Sequence, residues 1–468
     1  MKKLIVIIFI IFGAFLAFSL YRTYAYDTSV VEETPSTTDL EYTFKIGNSS
    51  IKQITVDSGE TKYYDVVLGN PNPAKISYSI YFEMVSPSTK PDGFCIEYTS
   101  KSTGDSTGKV DKEGNITLNL VVTNTSSSTV TVKLGSLAGY VNGGELVLES
   151  GQVLIPKQSA ASYVSGLDDG TTGDSGSGVY KVEHDAIASD DSASGNDIPP
   201  VTDYRYYGAN PNNYICLDMN GGSTCPDRGL FRIIGSIYEE NNGKNLIKVI
   251  KATPITDGTT STFSWDYTSS GSYKNNWPTG TLMTLLNSGA WWSNNSGSYY
   301  NNSTTATTVN FTDKGLTETA QKMINESLYY LGGWNTSAIK TTEMYSYERG
   351  TTTYSGNALS WTGKVGLMYP TDYGYAAGNS CATGTNLDDY GSSCMNKDWL
   401  YNSSNFQWLM SPGSSKSRIS WAVHFVGYAD YESGVRNLGS VSPVFYLTSD
   451  VVITGGTGTS SDPYLVSK

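Results

Sequence analysis

Basic residues are scarce in this chain: 31 Lys and Arg stand against 44 Asp and Glu in 468 residues, a formal charge of −13. Such a balance offers no electrostatic footprint for a phosphate backbone, so nucleic acid is excluded as a partner. Only 16% of residues are charged and two are histidines, too few for long solvated helices or for chemistry that leans on imidazole. The five cysteines have no metal-ligand spacing, so neither a metal nor a cofactor is expected. The H-E-x-x-H, phosphate-loop and dinucleotide patterns are also missing, and an enzyme is not expected. What is plentiful is Gly (48) and Tyr (35), set among Ser, Thr and Asn. That composition favours strands and turns, and the length allows about three folded units. The expectation is a multidomain, β-rich extracellular protein.

Met1, Lys2 and Lys3 precede an apolar run from Leu4 to Leu20, followed by Tyr21 and Arg22. Residues 1–25 read as a signal peptide or a membrane anchor, and a positive N-terminus stays inside, so everything after Arg22 is translocated. Two outcomes are expected: a single-pass cell-membrane helix holding the bulk outside the cytoplasmic membrane, or secretion after cleavage near Ala25. Residues 26–40 form a Thr, Ser, Glu and Pro rich stalk.

From 41 to 157 the chain carries about seven short alternating runs, among them Ala74 to Val85 and Ile116 to Thr123, and an immunoglobulin-like β-sandwich is expected. Residues 158–200 read as a flexible acidic Gly/Ser linker in which His184 is solvated. Residues 201–468 hold all nine tryptophans and read as an α+β domain. Strands are expected at Arg232 to Tyr238, Leu246 to Lys251 and Val365 to Met368, with helices from Thr312 to Leu328 and from Leu282 to Leu286. Trp265, Trp277 and Trp291 read as core beneath long loops.

The short spacings of Cys216 with Cys225 and of Cys381 with Cys394 suit two structural disulfides of an oxidising compartment. Cys95 is left over, and burial beside Phe94 and Ile96 is its expected fate.

Several strings resemble poorly characterised secreted or surface proteins of Gram-positive gut bacteria. They are Arg205-Tyr206-Tyr207-Gly208-Ala209-Asn210-Pro211, Phe231-Arg232-Ile233-Ile234-Gly235, Asp372-Tyr373-Gly374-Tyr375-Ala376, Trp408-Leu409-Met410-Ser411-Pro412, Pro443-Val444-Phe445-Tyr446-Leu447 and Ser461-Asp462-Pro463-Tyr464. The resemblance implies a C-terminal domain of the C-type-lectin and formylglycine-generating-enzyme fold. The chain departs from that pattern at Ser442, where the family usually has Arg before Pro. Compact lectin signatures such as E-P-N are missing, so sugar binding would use other contacts.

Ligand contacts are expected on a terminal hairpin built from Ile419 to Gly427, a turn at Tyr428 to Gly434 and a return through Val435 to Leu438. There Arg418, His424, Tyr428, Asp430, Tyr431, Glu432 and Arg436 combine rigid aromatics with guanidinium groups, as hot spots do. The leading expectation is a membrane-attached surface protein that displays a C-terminal domain for an extracellular glycan or protein. The alternatives are a structural cell-envelope or fibre component associating through Cys95, and a surface hydrolase or modifying enzyme using Asp388, Asp389 and His424.

Overall fold

The computed structural model describes residues 43–46, 53–100, 109–140, 146–168, 170–402 and 404–468. The expected membrane segment and stalk lie outside these residues; among the described residues no helix is long and apolar enough to cross a membrane. The chain is β-rich and divides into two units between Gln158 and Ser159.

The first unit is built from two antiparallel sheets. One runs in the order Thr43–Ile46, Glu60–Asn70, Gly114–Asn124, Phe94–Ser100. The other runs Gln53–Val56, Val130–Tyr140, Ile76–Ser86, with Lys109–Val110 and Gln152–Leu154 also paired to Ile76–Ser86. Alternation with period two sends Ile116, Leu118, Leu120 and Val122 inward from one sheet and Ile80, Phe82, Val132 and Leu134 inward from the other, giving one shared core. Two buried asparagines stitch the sheets together at their ends. Asn124 Nδ2 donates to Val56 O at 2.9 Å, and Asn70 Nδ2 donates to Asp111 O at 2.9 Å and Val110 O at 3.2 Å. Each pairs carbonyls that would otherwise be left dry. The same alternation corrects the expectation for Cys95: because Phe94 and Ile96 point into the core, Cys95 points out and is exposed.

The second unit begins well before residue 201, which corrects the linker reading of 158–200. Ser159 caps a short helix, Ala160–Ser165. Gly178–His184 then pairs residue by residue with Val201–Tyr207 at the edge of the main sheet, and His184 is buried rather than solvated. The small and acidic residues around this strand fill turns, so composition alone hid it. The main sheet continues through Leu230–Glu239 to Lys244–Lys251 and Val444–Tyr446 on one side, and through Tyr214–Cys216 to Tyr464–Ser467 and Val452–Gly455 on the other. Three small antiparallel sheets and several short helices surround it.

Trp265, Trp277, Trp291, Trp408 and Trp421 are fully buried and centre the core, as expected of the first three. The expected helix over Leu282 to Leu286 forms as Thr281–Asn287. That over Thr312 to Leu328 is shorter, Glu318–Met323 behind the Thr317 cap, because Ser327–Tyr330 becomes a strand against Ser360–Gly363. Val365 to Met368 is extended and buried but forms no regular ladder: its backbone is held by the Gly366–Val444 bridge, by the Met410 N–H donating to Met368 O at 2.8 Å, and by the Asn287 side chain at Val365. Cys216 and Cys225, and Cys381 and Cys394, form the two expected disulfides, with Cα separations of 5.9 and 6.0 Å. They fit maturation in an oxidising, extracellular environment.

Candidate functional site

The terminal hairpin exists with a different register from the one expected. Its strands are Ile419–Val423 and Ala429–Gly434, so the turn lies at His424 to Tyr428 and not at Tyr428 to Gly434. The run Phe425-Val426-Gly427 looks apolar enough to continue a strand, but Gly427 sits at φ +87°, which turns the chain back. Val435 to Leu438 is a turn rather than a return strand.

This register separates the seven expected ligand-binding residues into two groups. At the tip, His424 Nε2 lies 3.1 Å from Asp430 Oδ1, and the imidazole stacks on Tyr428 with ring centroids 4.4 Å apart. Asp430 Oδ1 also accepts the Glu432 N–H at 3.2 Å. At the opposite end, the guanidinium groups of exposed Arg418 and Arg436 lie 5.0 and 5.6 Å from the Tyr273 ring, which itself stacks with Tyr267. Half-buried Tyr431 packs against Trp421 between the ends and belongs to neither. Asp388 and Asp389 make no hydrogen bond to His424, whose ring is taken up by Asp430 and Tyr428.

The tip backbone is held at several points. Tyr401 Oη donates to Phe425 O at 2.6 Å, and Tyr373 Oη donates to Gly427 O at 2.7 Å. Within the turn, the His424 N–H donates to Tyr428 O and the Gly427 N–H to His424 O, both at 2.8 Å. A Cβ on Gly391 would come within 2.3 Å of Val426 O, so Gly391 lets a neighbouring loop close against the turn. On this fixed frame Phe425 and Val426 remain 57% and 44% exposed.

Sequence reasoning missed a buried cluster of charged side chains. His184 Nε2 lies 3.0 Å from Asp203 Oδ2, which also takes Arg205 Nη2 at 2.8 Å and Nε at 3.2 Å. Arg205 Nη1 continues to Asp372 Oδ1 at 3.1 Å, and Lys248 Nζ donates to Asp372 Oδ2 at 2.5 Å. Nearby, Glu348 accepts the Thr371 N–H and Oγ1–H, and Arg349 lies against the Tyr345 ring, which stacks on His184. All these side chains are buried. Burial alone would raise the carboxyl groups of Asp203 and Asp372, but the cations beside them outweigh it and hold both below the usual range. Burial lowers His184, which therefore stays neutral near pH 7. Burial pushes Glu348 up to about 7 against the pull of Arg349. The cluster joins the main sheet to the helices Thr341–Arg349 and Pro370–Ala376. Its one sequence signal was Asp203-Tyr204-Arg205, two opposite charges on one face of an otherwise apolar strand.

Among the described residues no group of acidic, histidine and cysteine side chains is arranged to hold a metal ion. The chain matches no family model, no curated protein and no solved structure.

Proposed function

We propose that this is an exported bacterial surface protein whose C-terminal unit binds an extracellular protein through the tip of the 419–434 hairpin. In this reading the segment at 1–25 directs export and either anchors the chain by a single span or is removed near Ala25. The first unit, taken as immunoglobulin-like, is a spacer, and the second, taken as C-type-lectin-like, is the reader.

The observation that carries the proposal is the pair Phe425 and Val426, apolar and exposed on a turn clamped by Tyr401 and Tyr373. An ordered apolar anchor loses little conformational entropy on docking, and the polar residues Tyr428, Asp430 and Glu432 follow it along the hairpin. Cells displaying the full chain should adhere saturably to at least one member of a panel of purified extracellular-matrix proteins. The double variant Phe425→Ser, Val426→Ser should not. Adhesion that survives the double variant, or capture confined to a glycan array, would overturn this reading.

Exposed Cys95 favours one alternative, a structural envelope component joined by intermolecular disulfides. Mass measurement of the exported chain with and without reductant decides it, since a monomer under both conditions contradicts assembly.

A further inference from the structure

We propose that a second surface of the C-terminal unit, at the end of the hairpin opposite the tip, binds a sulfated polysaccharide through Arg418 and Arg436. The two guanidinium groups converge on one ring. They lie 5.0 and 5.6 Å from the centroid of Tyr273, which stacks with Tyr267 at 5.8 Å and an interplanar angle of 11°. Both tyrosines are half-buried, while both arginines are exposed. Contact with a ring restricts a long side chain and leaves the N–H edges of its fork open to an oxyanion.

Long-range bonds fix the backbone beneath them. The Val435 N–H donates to Arg418 O at 3.0 Å, the Asp266 N–H to Val435 O at 3.0 Å and the Asn275 N–H to Ser417 O at 2.8 Å. The buried Asn275 amide adds bonds to Lys416 O at 3.0 Å and Ile419 O at 2.7 Å. Segments 266–276, 413–419 and 434–437 therefore form one platform, which carries two more exposed cations, Lys274 and Lys416.

Four cations thus gather on one platform of a chain whose net charge is −13. Among the described residues none of them forms an ion pair, whereas Arg228 and Lys251 each meet an acid. Asp266, beside Tyr267, is buried and turns its carboxylate to the Lys274 and Thr281 N–H groups at 2.8 and 3.0 Å. Its charge acts on Lys274. Beyond the Tyr273 ring, the two guanidinium groups have neither an ion pair nor a hydrogen bond among the described residues. Glu432, on the same hairpin, pairs with neither.

This open charge selects an anion, and its exposure selects the kind. A single exposed ion pair is worth little, so the ligand must bring several anions together and lose little freedom in doing so. A stiff polysaccharide with repeated sulfate groups does both, and the weakly hydrated sulfate matches the weakly hydrated guanidinium. Exposed Ser270, Ser415 and Asn437 on the same segments supply hydroxyl and amide groups for the sugar. The negative charge elsewhere on the chain is screened over about 8 Å at physiological salt, so the cations dominate at the platform.

Calorimetric titration of the full chain with a size-defined heparin oligosaccharide tests the surface. The controls are the same oligosaccharide after complete desulfation and a poly-glutamate of similar length. The sulfated probe should bind at least roughly tenfold tighter than either control and weaken as salt rises. The double variant Arg418→Gln, Arg436→Gln should weaken it at least about tenfold at an unchanged melting temperature, because both side chains are exposed. The tip variant Phe425→Ser, Val426→Ser should bind the probe like the parent, so failure of the tip reading leaves this surface standing. The proposal is overturned if the sulfated probe does not bind, if the desulfated sugar or poly-glutamate binds as well, if the well-folded Gln variant binds like the parent, or if the tip variant loses the probe.

Discussion

Arg205 and Asp372 are 167 positions apart in sequence, yet their side chains meet at 3.1 Å with only 2% and 1% of their surfaces exposed. Arg205 also holds Asp203, so one guanidinium neutralises two buried carboxylates. Replacing it with Met leaves both without their shared counter-charge. Arg205→Met should cost about 3 to 5 kcal/mol of stability, measured by urea unfolding, since removing one partner of a buried pair is far worse than never having built it. A loss below about 1 kcal/mol would contradict the assignment of the cluster as the joint between sheet and helices.

Glu348 titrates in the opposite sense from its neighbours. Burial raises its carboxyl from an ordinary 4.5 to about 7. Its folded value lies above its unfolded one, so the stability it contributes is complete below pH 4.5 and is lost as pH rises through about 7. Glu348→Gln should therefore flatten the decline between pH 4.5 and 7, a difference on the order of 3 kcal/mol across that window. Asp203 and Asp372, held low by Arg205 and Lys248, act the other way: their contribution is present above about pH 4 and disappears as pH falls below it. Chemical denaturation of parent and variant across pH 3 to 8 measures both limbs.

The strands of the first unit were legible because each carries its own period of two: Ile76, Tyr78, Ile80 and Phe82 announce the inner face of Ile76–Ser86 without reference to anything distant. The disulfides were legible for the same reason, since each closes a short loop. What failed depended on distant partners. The strand Gly178–His184 is ordered by pairing with Val201–Tyr207, and its glycine and acid rich flanks concealed it. The buried cluster draws on residues from His184 to Asp372 and has no local period at all. The hairpin turn was misplaced by four residues because Phe425 and Val426 carry the chemistry of a strand. Only Gly427, with its left-handed backbone, marks the reversal, and a single glycine does not specify a turn.

Closing the 13-residue separation between Cys381 and Cys394 constrains the unfolded chain. Replacing both with Ser should cost about 3 kcal/mol, read as a lower denaturation midpoint. Peptide mapping of the nonreduced protein should recover this link and the Cys216–Cys225 link, with Cys95 accessible to alkylation without denaturant.

Gly427 supplies a more local check on the hairpin. Its φ of +87° disfavours any side chain, and a Cβ there would lie 2.5 Å from the Met395 Cβ. Gly427→Ala should destabilise by about 1 to 2 kcal/mol and displace the carbonyl that Tyr373 holds, so adhesion through the tip should fall with it. An alanine variant as stable and as adhesive as the parent would show that the turn is not fixed in this conformation.

The central claim is that Phe425 and Val426 are the apolar anchor of a protein-binding tip. Its most direct test is the dissociation constant of the full chain for immobilised matrix protein, measured by surface plasmon resonance for the parent and for the double serine variant. With two exposed side chains removed and the clamped backbone kept, the account predicts an unchanged melting temperature and a dissociation constant raised at least about thirtyfold, the equivalent of roughly 2 kcal/mol. Equal dissociation constants for two equally folded proteins would contradict it.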